Sequence, residues 1–136
     1  MSCIVKVDAS LIDSGVYADV VALLKSRSEA WFITQGWRDQ LTEQAGYNKF
    51  ISDPVHNPKY THPSNSAHVG ANFPDGKSRA VDITLVIAGK DDWDYTHPAW
   101  QALIAQINAH PRLHSGVWFA DPDHIEKVHW QRDKGV

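Results

Sequence analysis

Apolar residues recur along the chain with two different periods, and these periods predict both helices and strands. Residues 16–24 carry valines and leucines at a helical spacing, with Asp13 or Ser14 in front of them as the N-cap. Residues 30–37, AWFITQGW, and residues 80–87, AVDITLVI, are rich in aromatic and β-branched side chains. Such runs are typical of buried strands, and the second run is the clearest strand in the sequence.

Later segments add further elements of both kinds. A second helix is expected over residues 39–50, and a third helix after Thr96, whose hydroxyl can cap it. Final strands are expected at 116–120 and 124–130, joined by the short connection Asp121-Pro122-Asp123. Because helices and strands are mixed without a regular alternation, the pattern predicts an α+β domain in which helices pack on a small antiparallel sheet.

A long segment without periodicity precedes the strand at 80–87. Residues 52–79 contain four prolines, three asparagines and three histidines, and they predict an irregular loop. Long loops in compact domains often carry function. We expect this loop to cover one face of the sheet.

Composition and charge narrow the class of protein. The chain has 136 residues, which is enough for a single domain over residues 1–136 but too few for two ordinary domains. It is 43% hydrophobic and 21% charged, as globular proteins are. The net charge is −3 and the basic residues are scattered, which argues against nucleic acid or an anionic membrane as a partner. We expect a monomer.

Cysteine content and the N-terminus add two further limits. Cys3 is the only cysteine, so the chain can form neither an internal disulfide nor a zinc site with several thiolates. A metal would have to be bound by His, Asp or Glu. The first residues lack the apolar core of a signal peptide, and no apolar run is long enough to span a membrane. We therefore expect synthesis in the cytoplasm without an export signal, and no membrane insertion.

Three side chains from distant segments are candidates for one metal site. Asp82 interrupts the clearest strand, and alternation places it on the face opposite the core residues. If the strand that holds His124 is a neighbour, His124 can approach Asp82, and His68 can close over both from the loop. Two imidazoles and one carboxylate are a usual ligand set for catalytic zinc, with a fourth position open for water. Alternatively, Asp82 forms a salt bridge with Arg38 or Arg79, because a buried charge needs a partner.

A hydrolytic zinc site also needs a carboxylate that accepts a proton from water and passes it to the leaving amine. Asp121 lies three residues before His124, across a proline, and is close enough to act as this general base. Asp123 and Glu126 compete for the same role.

These residues resemble the motifs of a known family. The family contains the zinc D-alanyl-D-alanine carboxypeptidases and the peptidoglycan L-alanyl-D-glutamate endopeptidases, including phage endolysins. Its Ser-x-His, Gly and Ala-x-Asp motifs correspond to SAH at 66–68, to Gly70 or Gly76, and to AVD at 80–82. Its closing Asp-x-x-His-x-Glu motif corresponds to DPDHIE at 121–126.

The resemblance extends upstream of these motifs. Residues 32–47, FITQGWRDQLTEQAGY, resemble the family's strand, its Gly-aromatic-Arg turn and its Gln-bearing helix. The similarity thus covers roughly residues 16–130, in the family's order. It implies a single catalytic domain of the fold shared by hedgehog-like proteins and DD-peptidases.

The resemblance also implies a role for each candidate residue. The zinc ligands would be His68, Asp82 and His124. Asp121 would be the general base, and Arg38 would be the cation that holds the polarised carbonyl, for which a planar fork of donors is well suited. The contacts to substrate would be made by Gln44, Ser66 and Glu126.

The sequence departs from the family at one spacing. Thirteen residues separate His68 from Asp82, which is more than in the family, and Asp75 stands at the usual spacing as a rival ligand. We prefer Asp82 because it lies in a strand, whereas Pro-Asp-Gly around Asp75 is typical of an exposed turn. Residues 70–79 would then form a hairpin-like insertion at the rim of the cleft.

The function implied by the resemblance is zinc-dependent cleavage of the peptide stems of peptidoglycan. We favour an L-alanyl-D-glutamate endopeptidase of the endolysin kind, because the chain is little more than a catalytic domain and the carboxylate before the last histidine is Asp121. The alternatives are a D-alanyl-D-alanine carboxypeptidase or dipeptidase, and a non-catalytic zinc-binding phage structural module. The expected site of action is the bacterial cell wall, as a phage lysis or virion-associated protein.

Overall fold

The computed structural model describes residues 3–117 and 121–134, and these ranges contain three α-helices and six strands. This confirms the predicted α+β class. The strands are β1 (Cys3–Val5), β2 (Ala30–Gln35), β3 (Ala80–Ile87), β4 (Lys90–Asp92), β5 (Leu113–Gly116) and β6 (Asp121–Lys127). The helices are α1 (Ser14–Lys25), α2 (Gln40–Ser52) and α3 (Pro98–Ala109). None of the helices in these described ranges is long and apolar enough to span a membrane.

The strands form one mixed sheet in the order β1-β2-β3-β6-β5. The β1–β2 pair is parallel, and every other pair in the sheet is antiparallel, as predicted. β4 pairs with β3 at Leu85–Ile87, and β6 pairs with it at Ala80–Asp82, so β3 lies at the centre of the sheet. The three-residue strands β1 and β4 are too short to produce a recognisable alternation.

Helix α1 begins as the sequence predicts, whereas α3 begins differently. Asp13 caps α1, because its Oδ2 accepts a hydrogen bond from the backbone N–H of Val16 at 3.1 Å. The predicted cap of α3, Thr96, is wrong. The hydroxyl of Thr96 donates instead to Asp94, and Nδ1 of His97 accepts from the N–H of Ala99 at 3.0 Å. His97 is therefore the N-cap, one residue later than expected.

One face of the sheet packs on α1 and α3 and forms the main core. Trp31 and Trp100 meet edge to face in it, with ring centroids 5.0 Å apart. The residues of this core are Ile12, Val16, Val20, Leu24, Trp31, Ile33, Val81, Ile83, Leu85, Ala99, Trp100, Leu103, Ile107, Leu113 and Ile125. Burial of these side chains is the main stabilising contribution to the fold.

The last two strands differ from their predicted positions. β5 lies earlier than expected, over Leu113–Gly116, and residues 118–120 of the predicted strand are outside the described residues. β6 already begins at Asp121, so the predicted connection at 121–123 belongs to the strand. The prediction failed because Gly116 pairs with Asp121 across a register shift, and such pairing needs no apolar side chains.

The loop before β3 packs closely against the sheet rather than projecting as the expected hairpin. Gly70 lies under Trp37, and an added Cβ there would lie only 2.1 Å from Nε1 of Trp37, so the close approach requires glycine. Phe73 packs on Trp130, with ring centroids 5.8 Å apart, in a second small apolar cluster. Within the described residues, none of positions 70–79 lines the cleft described below.

Candidate metal centre

His68, Asp82 and His124 meet on the face of the sheet opposite α1 and α3. Nε2 of His68 lies 3.3 Å from Oδ1 of Asp82 and 3.1 Å from Nδ1 of His124. Nδ1 of His124 lies 3.2 Å from the same oxygen of Asp82. One donor atom from each residue therefore points at a common centre, and the group can hold a metal ion.

The sheet ladder itself places two of these three groups. Asp82 in β3 and His124 in β6 are directly opposite each other in an antiparallel pair, so their side chains project from the same face. The core residues Val81 and Ile125 are the next pair along, and they project from the opposite face. The alternation of β3 thus buries its apolar residues and presents Asp82 to the cleft at the same time.

The third group, His68, is fixed by the end of β2. Nδ1 of His68 donates to the carbonyl of Gly36 at 2.7 Å. The N–H of Arg38 donates to the carbonyl of His68 at 2.9 Å, and Arg38 forms an isolated parallel bridge with Val69. The loop is therefore held against the turn that follows β2, and its histidine is directed towards the sheet.

In the neutral form of each imidazole, the hydrogen bond to the remote ring nitrogen directs the lone pair of the other nitrogen at the centre. A carbonyl oxygen can only accept, so Nδ1 of His68 carries the proton and Nε2 is free to bind a cation. Nε2 of His124 lies 3.1 Å from Oε2 of Glu126 and donates to it, which leaves Nδ1 of His124 as the ligand atom. Holding the remote ring nitrogen in this way is characteristic of metal-binding histidines.

The donor spacing fits a small tetrahedral cation. Metal bonds of about 2.0–2.2 Å place neighbouring tetrahedral ligands roughly 3.3–3.5 Å apart. The three separations of 3.1–3.3 Å are close to these values. Two nitrogens and one oxygen are donors that divalent metal ions bind in proteins, and a fourth position can be supplied by water.

The electrostatics of the site favour positive charge at its centre. Burial raises the pKa of Asp82, but the charges and hydrogen bonds of His68 and His124 outweigh it and hold that pKa well below its usual range. Burial lowers the pKa of His124, but the hydrogen bonds and charges of Asp82 and Glu126 raise it to about 10. The carboxylates that favour a proton on His124 also favour a bound cation.

A cleft of about 630 Å³ opens over these groups, and both predicted catalytic residues line it. Nη2 of Arg38 lies 3.7 Å from Oδ2 of Asp82, which is the ion pair that the sequence offered as an alternative to metal binding. Asp121 and Asp123 also line the cleft and are hydrogen-bonded to each other. Burial, this hydrogen bond and the charges of Asp82 and Asp121 raise the pKa of Asp123 to about 8.

Of the three residues predicted to contact substrate, two line the cleft and one does not. Ser66 lines the cleft, but its hydroxyl donates to Glu43 at 3.1 Å. Glu126 lines the cleft and joins two histidines, since its second oxygen lies 3.0 Å from Nε2 of His114. Gln44 donates to Asn48 and does not line this cleft.

The rival ligand Asp75 lies elsewhere. Its carboxylate accepts two hydrogen bonds from Arg79 at 3.0 Å, and its side chain is 43% exposed. The group able to hold a metal contains Asp82 instead. Arg79, the other partner suggested for Asp82, is therefore occupied by Asp75 and also contacts Asp133 at 3.2 Å.

Sequence reasoning missed Glu43. This residue is only 1% exposed and accepts a hydrogen bond from Arg38 at 2.8 Å. The only signal that could have found it is its position on the helix, five residues after the arginine of the Gly-Trp-Arg turn.

A comparison of the chain with protein-family models and with curated proteins finds no match in either set. The chemistry of the site is therefore inferred from its residues and their arrangement.

Proposed function

We propose that the protein is a zinc-dependent peptidase that cleaves the peptide stems of peptidoglycan. The observation that supports this most strongly is the convergence of His68, Asp82 and His124 to within 3.1–3.3 Å at the wall of a cleft. Asp121 and Arg38 line the same cleft, and neither is needed merely to hold a metal. Their presence favours turnover over a non-catalytic binding module.

In the proposed reaction each polar group of the cleft has one task. Zinc bound by the three ligands supplies a Lewis acid that acidifies water and polarises a carbonyl group. Asp121 accepts a proton from the attacking water and passes it to the leaving amine. Arg38 donates to the carbonyl oxygen as negative charge develops on it, which fixed guanidinium donors do well. Nη1 is held by Glu43, so the donor nearest the metal ligands is Nη2, which lies 3.7 Å from Oδ2 of Asp82.

The proposed substrate class follows from the family that the motifs resemble. We favour the bond between L-alanine and D-glutamate, because the residue at the position of the general base is Asp121. Cleavage between two D-alanine residues is the alternative. The protein would then act on the cell wall, as a phage lysis or virion-associated protein.

The test is digestion of purified cell wall with and without a chelator. We expect clearing that stops when zinc is removed and returns when zinc is added back. Mass spectrometry of the released muropeptides identifies the bond that is cut. Clearing that survives complete metal removal contradicts the proposal, and wall binding without cleavage favours a non-catalytic module.

Substitutions separate the roles of the three aspartates. Asp121→Asn is expected to retain zinc and lose turnover, whereas Asp82→Asn is expected to lose zinc. Asp75→Asn is the matched control, because this carboxylate is held by Arg79 outside the cleft. Loss of zinc in Asp75→Asn together with full occupancy in Asp82→Asn would show that the wrong aspartate has been chosen.

A further inference from the structure

We infer that Glu43 is a positioning residue of the metal centre, which acts through Arg38 and Ser66 to hold Asp82 and His68 in their ligand geometry. The inference rests on the metal site of the proposed function and adds a residue to it. Glu43 does not reach the centre itself. It connects the sheet side of the site, which holds Asp82, with the loop side, which holds His68.

The burial of Glu43 sets it apart from the rest of its helix. It is the only buried residue of α2, whose other side chains are exposed or half-buried. A buried carboxylate is costly unless its hydrogen-bonding capacity is used. One oxygen, Oε1, accepts from both Nη1 of Arg38 at 2.8 Å and Oγ of Ser66 at 3.1 Å.

The contact with Arg38 controls the sheet side of the site. Because Glu43 holds Nη1, the guanidinium plane is fixed with Nη2 at 3.7 Å from Oδ2 of Asp82. Oδ1 of Asp82 faces His68 and His124. Arg38 therefore attracts one oxygen of the aspartate and leaves the other directed at the centre, which favours a ligand that binds through a single oxygen.

The contact with Ser66 controls the loop side. Oγ of Ser66 donates to Glu43 and accepts a hydrogen bond from the backbone N–H of His68 at 3.2 Å. This places the backbone of the histidine relative to α2. A single oxygen of Glu43 thus ties together the two segments that must stay in register for a cation to be bound.

Charge gives Glu43 a second effect on the centre. The side chain of Arg38 is only 15% exposed, so its charge is poorly screened by solvent. The carboxylate of Glu43 compensates that charge. Without it, Asp82 would be the only carboxylate paired with the guanidinium, whose charge would then repel a dication bound to the same aspartate.

The test measures zinc affinity by competition with a chromophoric chelator, in the absence of substrate. Glu43→Gln keeps an oxygen that can accept both hydrogen bonds and removes only the charge, and we expect zinc binding about tenfold weaker. Glu43→Ala removes both contacts and is expected to weaken binding further. Glu29→Gln is the matched control, because Glu29 pairs with Arg27 and does not line the cleft.

A double-mutant cycle with Arg38→Met distinguishes positioning from a general loss of stability. If Glu43 acts through Arg38, most of the effect of Glu43→Gln on zinc affinity disappears in the Arg38→Met background. The absorption spectrum of the Co²⁺-loaded chain should also change in Glu43→Gln, because the ligand geometry changes.

Two results would overturn the inference. One is a folded Glu43→Gln variant with unchanged zinc affinity and an unchanged Co²⁺ spectrum, and the other is an equal loss of affinity in both arginine backgrounds. Neither depends on peptidase activity. A chain that binds zinc with this dependence on Glu43 but leaves cell wall intact refutes the proposed function and supports the inference.

Discussion

The two faces of the sheet share the same strands but are held together by different forces. On β3, Val81, Ile83 and Leu85 are fully buried against the helices. The alternate residues Asp82 and Thr84 project from the opposite face, and Asp82 lines the cleft. The first face is stabilised by non-directional apolar packing, whereas the second depends on hydrogen bonds between charged groups.

Substitutions on the two faces should therefore change different properties of the protein. An apolar core tolerates changes that conserve volume and responds to lost volume with lost stability. A buried polar network tolerates little, because each group left without its partner is unfavourable. Damage to the helix-covered face should therefore lower the free energy of unfolding, and damage to the cleft face should mainly change metal binding.

The largest expected effect is a loss of stability caused by a substitution on the helix-covered face. Ile83→Ala leaves a cavity in the fully buried core between β3 and the helices and should lower the free energy of unfolding by about 2–5 kcal/mol in chemical denaturation. Ile87→Ala is the control, because Ile87 lies on the same strand with 38% exposure and its loss should cost well under that. Zinc affinity of the folded Ile83→Ala variant should stay close to that of the wild type. A larger effect of Ile87 than of Ile83 would contradict the assignment of the core.

Zinc bound at the cleft face should raise the free energy of unfolding by an amount in the lower part of that range. Free zinc at about 100 times its dissociation constant should raise the free energy of unfolding by about 2.7 kcal/mol, and a chelator should reverse this. His68→Ala should abolish the increase because it removes a ligand. His56→Ala should keep it, because His56 is exposed and pairs with Asp53. Equal stabilisation of both histidine variants would place the binding site elsewhere.

The smallest effect concerns an ion-pair cluster away from the cleft, formed by Arg79 with Asp75 and Asp133. Burial raises the pKa of both aspartates, but the hydrogen bonds and charges of their basic partners lower it overall. The unfolded chain therefore binds protons more readily, so the stability that these pairs contribute at neutral pH is lost as the pH falls through their lowered pKa values.

We expect Arg79→Met to lose about 1 kcal/mol at neutral pH, since the carboxylates remain partly solvated. Its further loss of stability between pH 5 and pH 2, measured by denaturation, should be shallower than that of the wild type. A variant whose stability falls as steeply with acid as the wild type would show that this cluster contributes nothing to acid sensitivity.

The helix-covered face was the more predictable one from sequence. The bounds of β3 match the run at 80–87, and Asp13 caps α1 as expected, because both follow from apolar period and local capping. The cap at His97 was missed because the imidazole of His97, and not the hydroxyl of Thr96, accepts a hydrogen bond from the first turn of α3. β5 and β6 were misplaced because their pairing near Gly116 is irregular.

Residues of the cleft face could be predicted only where a charged or metal-binding residue type stands out from the pattern of its segment. A charged residue in an apolar strand singled out Asp82, and the requirement for further ligands led to His68 and His124. Glu43 does not stand out from its segment in this way. Its helix has no apolar face, so a buried glutamate there looks like any solvated one until the loop that covers it is in place.

The pairing of Asp82 with His124 across β3 and β6 has a consequence for how a cation would enter. Asp82 and His124 lie on paired strands of the sheet, whereas His68 lies on the long segment that precedes β3. A bound ion would therefore act as a cross-link that closes a ring between loop and sheet. Amide hydrogens around residues 66–69 should exchange with deuterium more slowly once the ion is present, while those of the central ladder should keep the same rate.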